Sequence, residues 1–158
     1  MKKGSTLFLK IALLILAIPV VALAIFGLYW LSQNPANPDY VYMLYPIVIG
    51  IYVTVIPFLI ALVQAYKLLS FIDHNEAFSQ QSVQALMKIK YCAISISAVY
   101  VIILPFVFML AEMDDAPGLV FVGAAPIFAS LVVAVFAAVL QKLLHEAIDY
   151  KNENELTV

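Results

Sequence analysis

The sequence predicts an all-α integral membrane protein. Four transmembrane helices pair as two hairpins, both termini face the cytoplasm, and some helices run past the hydrocarbon on that side. Three observations predict this. Four apolar runs each reach the roughly 20 helical residues that cross about 30 Å of hydrocarbon, and polar segments separate them. The chain is 65% apolar and 11% charged, with a mean hydropathy of +1.04, whereas soluble domains are roughly half apolar and about a quarter charged. Every basic residue is a lysine, and every lysine falls on one side of the four runs.

The first span covers residues 7–31, interrupted only by Lys10 and closed by Tyr29 and Trp30 as interfacial aromatics. The basic start and Ala22-Leu23-Ala24 resemble a cleaved leader. The apolar run continues to Trp30, however, beyond the roughly 7–15 residues of a leader's core. It therefore reads as a span. Residues 32–39, SQNPANPD, form a turn. The second span covers 41–69, with Tyr40, Tyr42 and Tyr45 at the same interface as Trp30. A linker occupies 70–90, a third span 91–111, a second turn 112–118, a fourth span 119–144 and a polar tail 145–158. The whole chain, 1–158, reads as one domain.

Lys2, Lys3 and Lys10 lie at the start, Lys67, Lys88 and Lys90 around the linker, and Lys142 and Lys151 at the end. The two turns carry acids and prolines but no base. Under the positive-inside rule the lysine side is cytoplasmic. Each hairpin also closes on a similar string, KLLSFID at 67–73 and KLLHEAID at 142–149. Duplication and convergent helix-end chemistry account for this equally well.

The linker is the most patterned polar segment. Asp73 to Glu76 offers a short capping box, but Ser79 is the better N-cap, with Phe78 and Val83 at the positions of a hydrophobic staple. From Gln80, the residues Val83, Leu86, Met87 and Lys90 share one helical face. One helix is therefore expected from Gln80 through the third span to Ala111. At 1.5 Å per residue it is about 48 Å long, roughly 18 Å more than the hydrocarbon needs. Its first turns project into the cytoplasm, where they either dock a partner or pack on their neighbours.

No Asp, Glu, Lys, Arg or His lies in the middle of a span. Ion-coupled transport and intramembrane proteolysis usually place an ionisable group there. The chain has no glycine-rich phosphate loop, paired-cysteine metal motif or nucleophile elbow, and no basic patch for direct nucleic-acid contact. No enzymatic activity, catalytic residue or cofactor is expected. Thr54, Gln64, Ser95, Ser97 and Ser130 are the polar residues at depth, and such groups ordinarily bond across helices or to their own carbonyls. Prolines at 19, 46, 57, 105 and 126 read as packing kinks. Pro126, Ser130, Ala134 and Ala138 recur every four residues, a flat seam that suits a neighbouring helix or a second copy. His74 beside Asp73, and His145 with Asp149 one turn on, are weak metal-ligand candidates lacking any metal-motif spacing. Cys92 reads as a small apolar residue.

The string FIDHNEAFS at 71–79, followed by Val83 and LMKI at 86–89, resembles the central motif of the YoaS-like family of bacterial four-span membrane proteins, a family of unknown function. The ending KNENELTV at 151–158 resembles that family's closing signature. Met87 and Lys88 stand where members often carry arginine, and Glu155 where aspartate is usual. The resemblance implies a multi-pass protein of the bacterial cytoplasmic membrane with no catalytic residues. Members are often encoded beside a small Cro/C1-type helix-turn-helix regulator, which suggests such a regulator as a cytoplasmic partner.

The expected function is a regulatory or binding component whose cytoplasmic face docks that partner. The residues expected to carry it are Asp73, Phe78, Ser79 and Leu86 in the linker and Asn154, Glu155 and Leu156 in the tail. Two rivals stand beside it. One is a small transporter, channel or immunity protein using a vestibule lined by Thr54, Ser95, Ser97 and Ser130. The other is an accessory subunit, or a homo-oligomer, that packs through Ser130, Ala134 and Ala138.

Overall fold

The computed structural model describes residues 3–33, 41–113 and 115–157, and side chains within 6–33, 44–113 and 115–154. All of the regular structure in these residues is helical: α1 Lys3–Gln33, α2 Val41–Asp73, α3 Gln80–Met113 and α4 Gly118–Thr157. Each is long and apolar enough to cross a membrane. The chain is therefore an all-helical protein with four candidate spans. The turn at 34–39, Tyr40 and the Tyr42 side chain lie outside the described residues.

The helices end where local chemistry stops them. At the end of α2, Glu76 N–H reaches Phe71 O at 2.7 Å and Asn75 N–H reaches Ile72 O at 3.2 Å. Asn75 takes the left-handed conformation, φ 59°. This is a Schellman cap with asparagine at the position that favours glycine or asparagine. Asp73 to Glu76 thus close α2, and no capping box forms there. The same closure ends α3: Ala116 N–H reaches Ala111 O at 2.9 Å, Asp115 has φ 52°, and Pro117 prevents continuation. Ser79 caps α3 as expected: its Oγ accepts from Ser82 N–H at 3.3 Å and donates to Glu76 O at 2.7 Å. Phe78, expected to staple over Val83, is exposed instead.

The polar tail is helical through Thr157, as a continuation of α4. After Gly123 and Pro126 this helix contains no glycine or proline, and its polar end is rich in leucine, lysine and glutamate. Those are strong helix formers, so nothing stops the helix at the membrane surface.

The helices pack in chain order. α3 makes the largest interfaces, one with α2 and one with α4, while α1 rests on α2 through a smaller one. The buried apolar side chains follow this arrangement: Val83, Ala85, Leu86, Ala93, Ile103 and Ala111 on α3, and Ala134, Ala137 and Ile148 on α4. Small residues allow the close approaches. A Cβ on Gly50 of α2 would overlap the Ile103 side chain of α3. A Cβ on Gly123 of α4 would sit 3.1 Å from Val107 of α3. The seam on α4 therefore faces inward: Ser130 and Ala134 are buried, with Ala137 in place of the half-exposed Ala138. It is used within the chain.

Candidate functional site

The lysine-bearing end of the bundle holds most of its polar chemistry. Thr6 and Lys10 lie one turn apart on α1, so both side chains project from one face. Both meet Asp73, the last residue of α2. Lys10 Nζ is 2.8 Å from Asp73 Oδ2, and Thr6 Oγ1 donates to Asp73 Oδ1. Lys10 Nζ also stands 5.0 Å from the centre of the Tyr66 ring, within the range of a cation–π contact. The pair is mostly shielded, with side-chain exposures of 18% for Lys10 and 12% for Asp73. A lysine in an apolar helix needs such a partner, because an unpaired charge there is costly. The pair therefore acts as a clamp that fixes α1 to the end of α2.

A second link holds α4 to α3. Lys90 Nζ donates to Gln141 Oε1 at 3.1 Å and lies 4.9 Å from the Tyr91 ring centre. Lys90 is ten residues into α3, so ten further residues along antiparallel α4 reach Lys151 at the level where α3 begins. Residues 152–157 then extend beyond α3 by about 9 Å. Tyr150 and residues 151–154 are exposed.

Measured against this geometry, the expected docking residues separate. Asp73 is engaged by Lys10 and Thr6. Leu86 is buried in the core beside Val83 and Ala85. Ser79 spends its hydroxyl on the α3 cap. All three have structural partners within the chain. Phe78 is 58% exposed, and Asn154 lies on the exposed end of α4. The side chains of Glu155 and Leu156 lie outside the described residues.

The metal candidates do not converge. His74 Nδ1 faces Ser70 O at 2.8 Å. His145 Nε2 lies 3.7 Å from Asp149 Oδ2, and both side chains are exposed. Among the described residues, no group of three His, Cys, Asp or Glu side chains is placed to hold a metal ion. Cys92 is a free, half-buried thiol.

Toward the opposite end, a cavity of about 570 Å³ opens between α1, α2 and α3. Thr54 lines it, but Ser95, Ser97 and Ser130 do not. Ser95 donates to Tyr91 O at 2.9 Å, and Ser130 donates to Pro126 O at 2.7 Å, each on its own helix. The vestibule imagined from the sequence is therefore not assembled. Around the cavity, Tyr52 Oη donates to Ala24 O at 2.8 Å, and Thr54 Oγ1 donates to Ile51 O at 2.6 Å while sitting 3.2 Å from Tyr100 Oη.

Sequence reasoning missed both the clamp and the cavity. The clamp had a signal: Lys10 is the only charged residue inside the first span, and Asp73 is an acid on the same side of the membrane pattern. The cavity had none, because it depends on how far α1 stands off its neighbours.

Four long apolar helices, with α1 tied to α2 by the Lys10–Asp73 ion pair, define a multi-pass α-helical membrane protein. Within that class the assignment is specific: residues 30–158 match the family model described as "Protein of unknown function (DUF2975)", and the chain belongs to that family. Across 160 aligned residues, covering all of both chains, it is 54% identical to the "Uncharacterized membrane protein YoaS" of Bacillus subtilis (strain 168). This agrees with the family expected from the linker and the closing signature. No solved structure matches the chain.

Proposed function

We propose that the chain is a non-enzymatic docking component of the bacterial cytoplasmic membrane, with both termini in the cytoplasm and the end of α4 presented to a cytoplasmic partner. The observation that carries this reading is the extension of α4 past the start of α3, at the end of the molecule that holds all the lysines. Helix-in-groove recognition uses exposed helical segments of this kind. Tyr150 supplies an aromatic anchor, and Lys151, Glu153 and Asn154 supply polar contacts around it. Phe78 is a second exposed apolar side chain in the polar segment between α2 and α3. The partner class suggested by the family resemblance is a small helix-turn-helix regulator, bound as a protein and without direct contact between this chain and nucleic acid.

The test uses the full chain in nanodiscs and a chain ending at Asp149. A purified small helix-turn-helix regulator of the Cro/C1 type is applied to both. Binding to the full chain and loss with the truncation is the expected result. Equal binding to both removes α4 as the dock, and binding to neither removes the partner class.

A further inference from the structure

We propose that the cavity between α1, α2 and α3 is a lipid site that holds one acyl chain of a phospholipid from the leaflet nearer the α1–α2 turn. Its location, length, lining and mouth all point to that occupant.

Its wall includes Val20 to Leu31 of α1 and Leu44 to Phe58 of α2. At 1.5 Å per residue these stretches are about 17 and 21 Å long, somewhat more than half of a hydrocarbon core of about 30 Å. The cavity thus begins at the turn-side interface, where Trp30 stands, and ends near mid-depth. That is the reach of a chain from one leaflet. The volume of about 570 Å³ falls within the roughly 300–1,000 Å³ of small-molecule sites.

The lining contains no Asp, Glu, Lys, Arg or His. Its Tyr52 and Thr54 hydroxyls already donate to backbone carbonyls, and the Tyr100 hydroxyl lies 3.2 Å from Thr54 Oγ1. A polar solute entering here would leave hydrogen-bonding groups unmatched, which costs on the order of 1–3 kcal/mol per group. A methylene chain carries no such groups and restores the dispersion contacts that a void forfeits.

The mouth is continuous with the lipid-facing surface. Leu23 and Trp30 line the cavity yet are 70% and 56% exposed on α1. A chain can therefore enter sideways from the bilayer. α1 also has reason to hold one. Its interface with α2 is small, and its polar ties to α2 include the clamp at Asp73 and the Tyr52–Ala24 hydrogen bond. Gly27 stands between these helices, where a Cβ would lie 2.6 Å from Tyr52 Oη. A seated acyl chain fills the gap that this loose edge leaves.

The test is photolabelling of the full chain in phospholipid vesicles doped with a phosphatidylcholine bearing a mid-chain diazirine. Adducts are mapped by mass spectrometry. Leu23, Tyr52 and Val55 should be labelled several-fold more than Val132 and Phe136, which are exposed on the far face of α4. Val55→Phe, or Val48→Phe if the first variant fails to fold, should reduce labelling of Leu23 and Tyr52 to the α4 level. Equal labelling of both faces in the native chain overturns the site, and so does enrichment that survives the filled cavity. A diazirine fatty acid that labels the cavity where the phospholipid does not overturns the phospholipid as occupant.

Discussion

Lys10 Nζ lies 2.8 Å from Asp73 Oδ2, and this one contact ties the first helix to a residue 63 positions away. Removing one partner leaves the other charge without its match beside the hydrocarbon, which is worse than removing both. Asp73→Ala and Lys10→Met should each lower the thermal midpoint of the detergent-solubilised chain. The paired replacement Lys10→Leu with Asp73→Leu should recover most of the loss. Single variants that melt with the native chain would show that α1 does not depend on the clamp.

Sidedness follows from the lysines. With Cys92 replaced by alanine, single cysteines at Ser32 and Asp115 should react with an impermeant maleimide added outside intact cells. Cysteines at Ser79 and Asn152 should react only after permeabilisation. The positive-inside rule rests on lysines near the ends of short loops, the arrangement found here. Reaction of the Ser32 cysteine only after permeabilisation would invert the topology.

Gly50 faces Ile103 so closely that any Cβ would overlap it. Gly50→Ala should therefore cost about 1–3 kcal/mol by overpacking. Adding Ile103→Val should return part of that cost. The two sites touch, so a double-mutant cycle should give a coupling of about 0.5–3 kcal/mol. Additive effects would mean that α2 and α3 can slide apart to absorb the methyl group.

Which parts of this fold were legible in the sequence follows from which forces act locally. The spans were legible because hydrocarbon demands a long uninterrupted apolar run, and the start of α3 at Gln80 was legible because Ser79 is a local cap. The segment 145–158 reads only as a polar tail, and its lysine, glutamate and leucine favour helix in water as well. The site fared worse for a different reason. Phe78 and Leu86 look equally available in the one-dimensional pattern, yet α3 turns Leu86 into the core and leaves Phe78 outside. The helical period places Leu86 on one face with Val83, but whether that face meets a partner or the bundle depends on neighbours far away in sequence.

The Ser79 cap is worth measuring because it also fixes the connection between the two hairpins. Ser79→Ala removes the acceptor for Ser82 N–H and the donor to Glu76 O. The expected cost is about 1 kcal/mol. Ser79→Asp keeps the acceptor and should stay near native. Limited proteolysis within residues 74–79 reads the same change as faster cleavage in the alanine variant. Equal stability and cleavage for alanine and aspartate would assign the start of α3 to its buried Val83 and Leu86 instead.

Ala134 separates an internal seam from an interface between copies. It is buried where α4 packs on α3, with Ser130 one turn before it and Ala137 one turn after. Ala134→Leu adds bulk where the two helices meet and should cost about 1–3 kcal/mol. The effect should appear in the melting of the chain at any protein concentration. Val135, the adjacent residue, is exposed, so Val135→Leu should leave stability near native. Cross-linking before and after the Ala134→Leu substitution supplies the second readout. If the seam is internal, the oligomer distribution stays the same while the melting temperature falls. Loss of an oligomer with unchanged melting would place a second copy, and not α3, against Ala134.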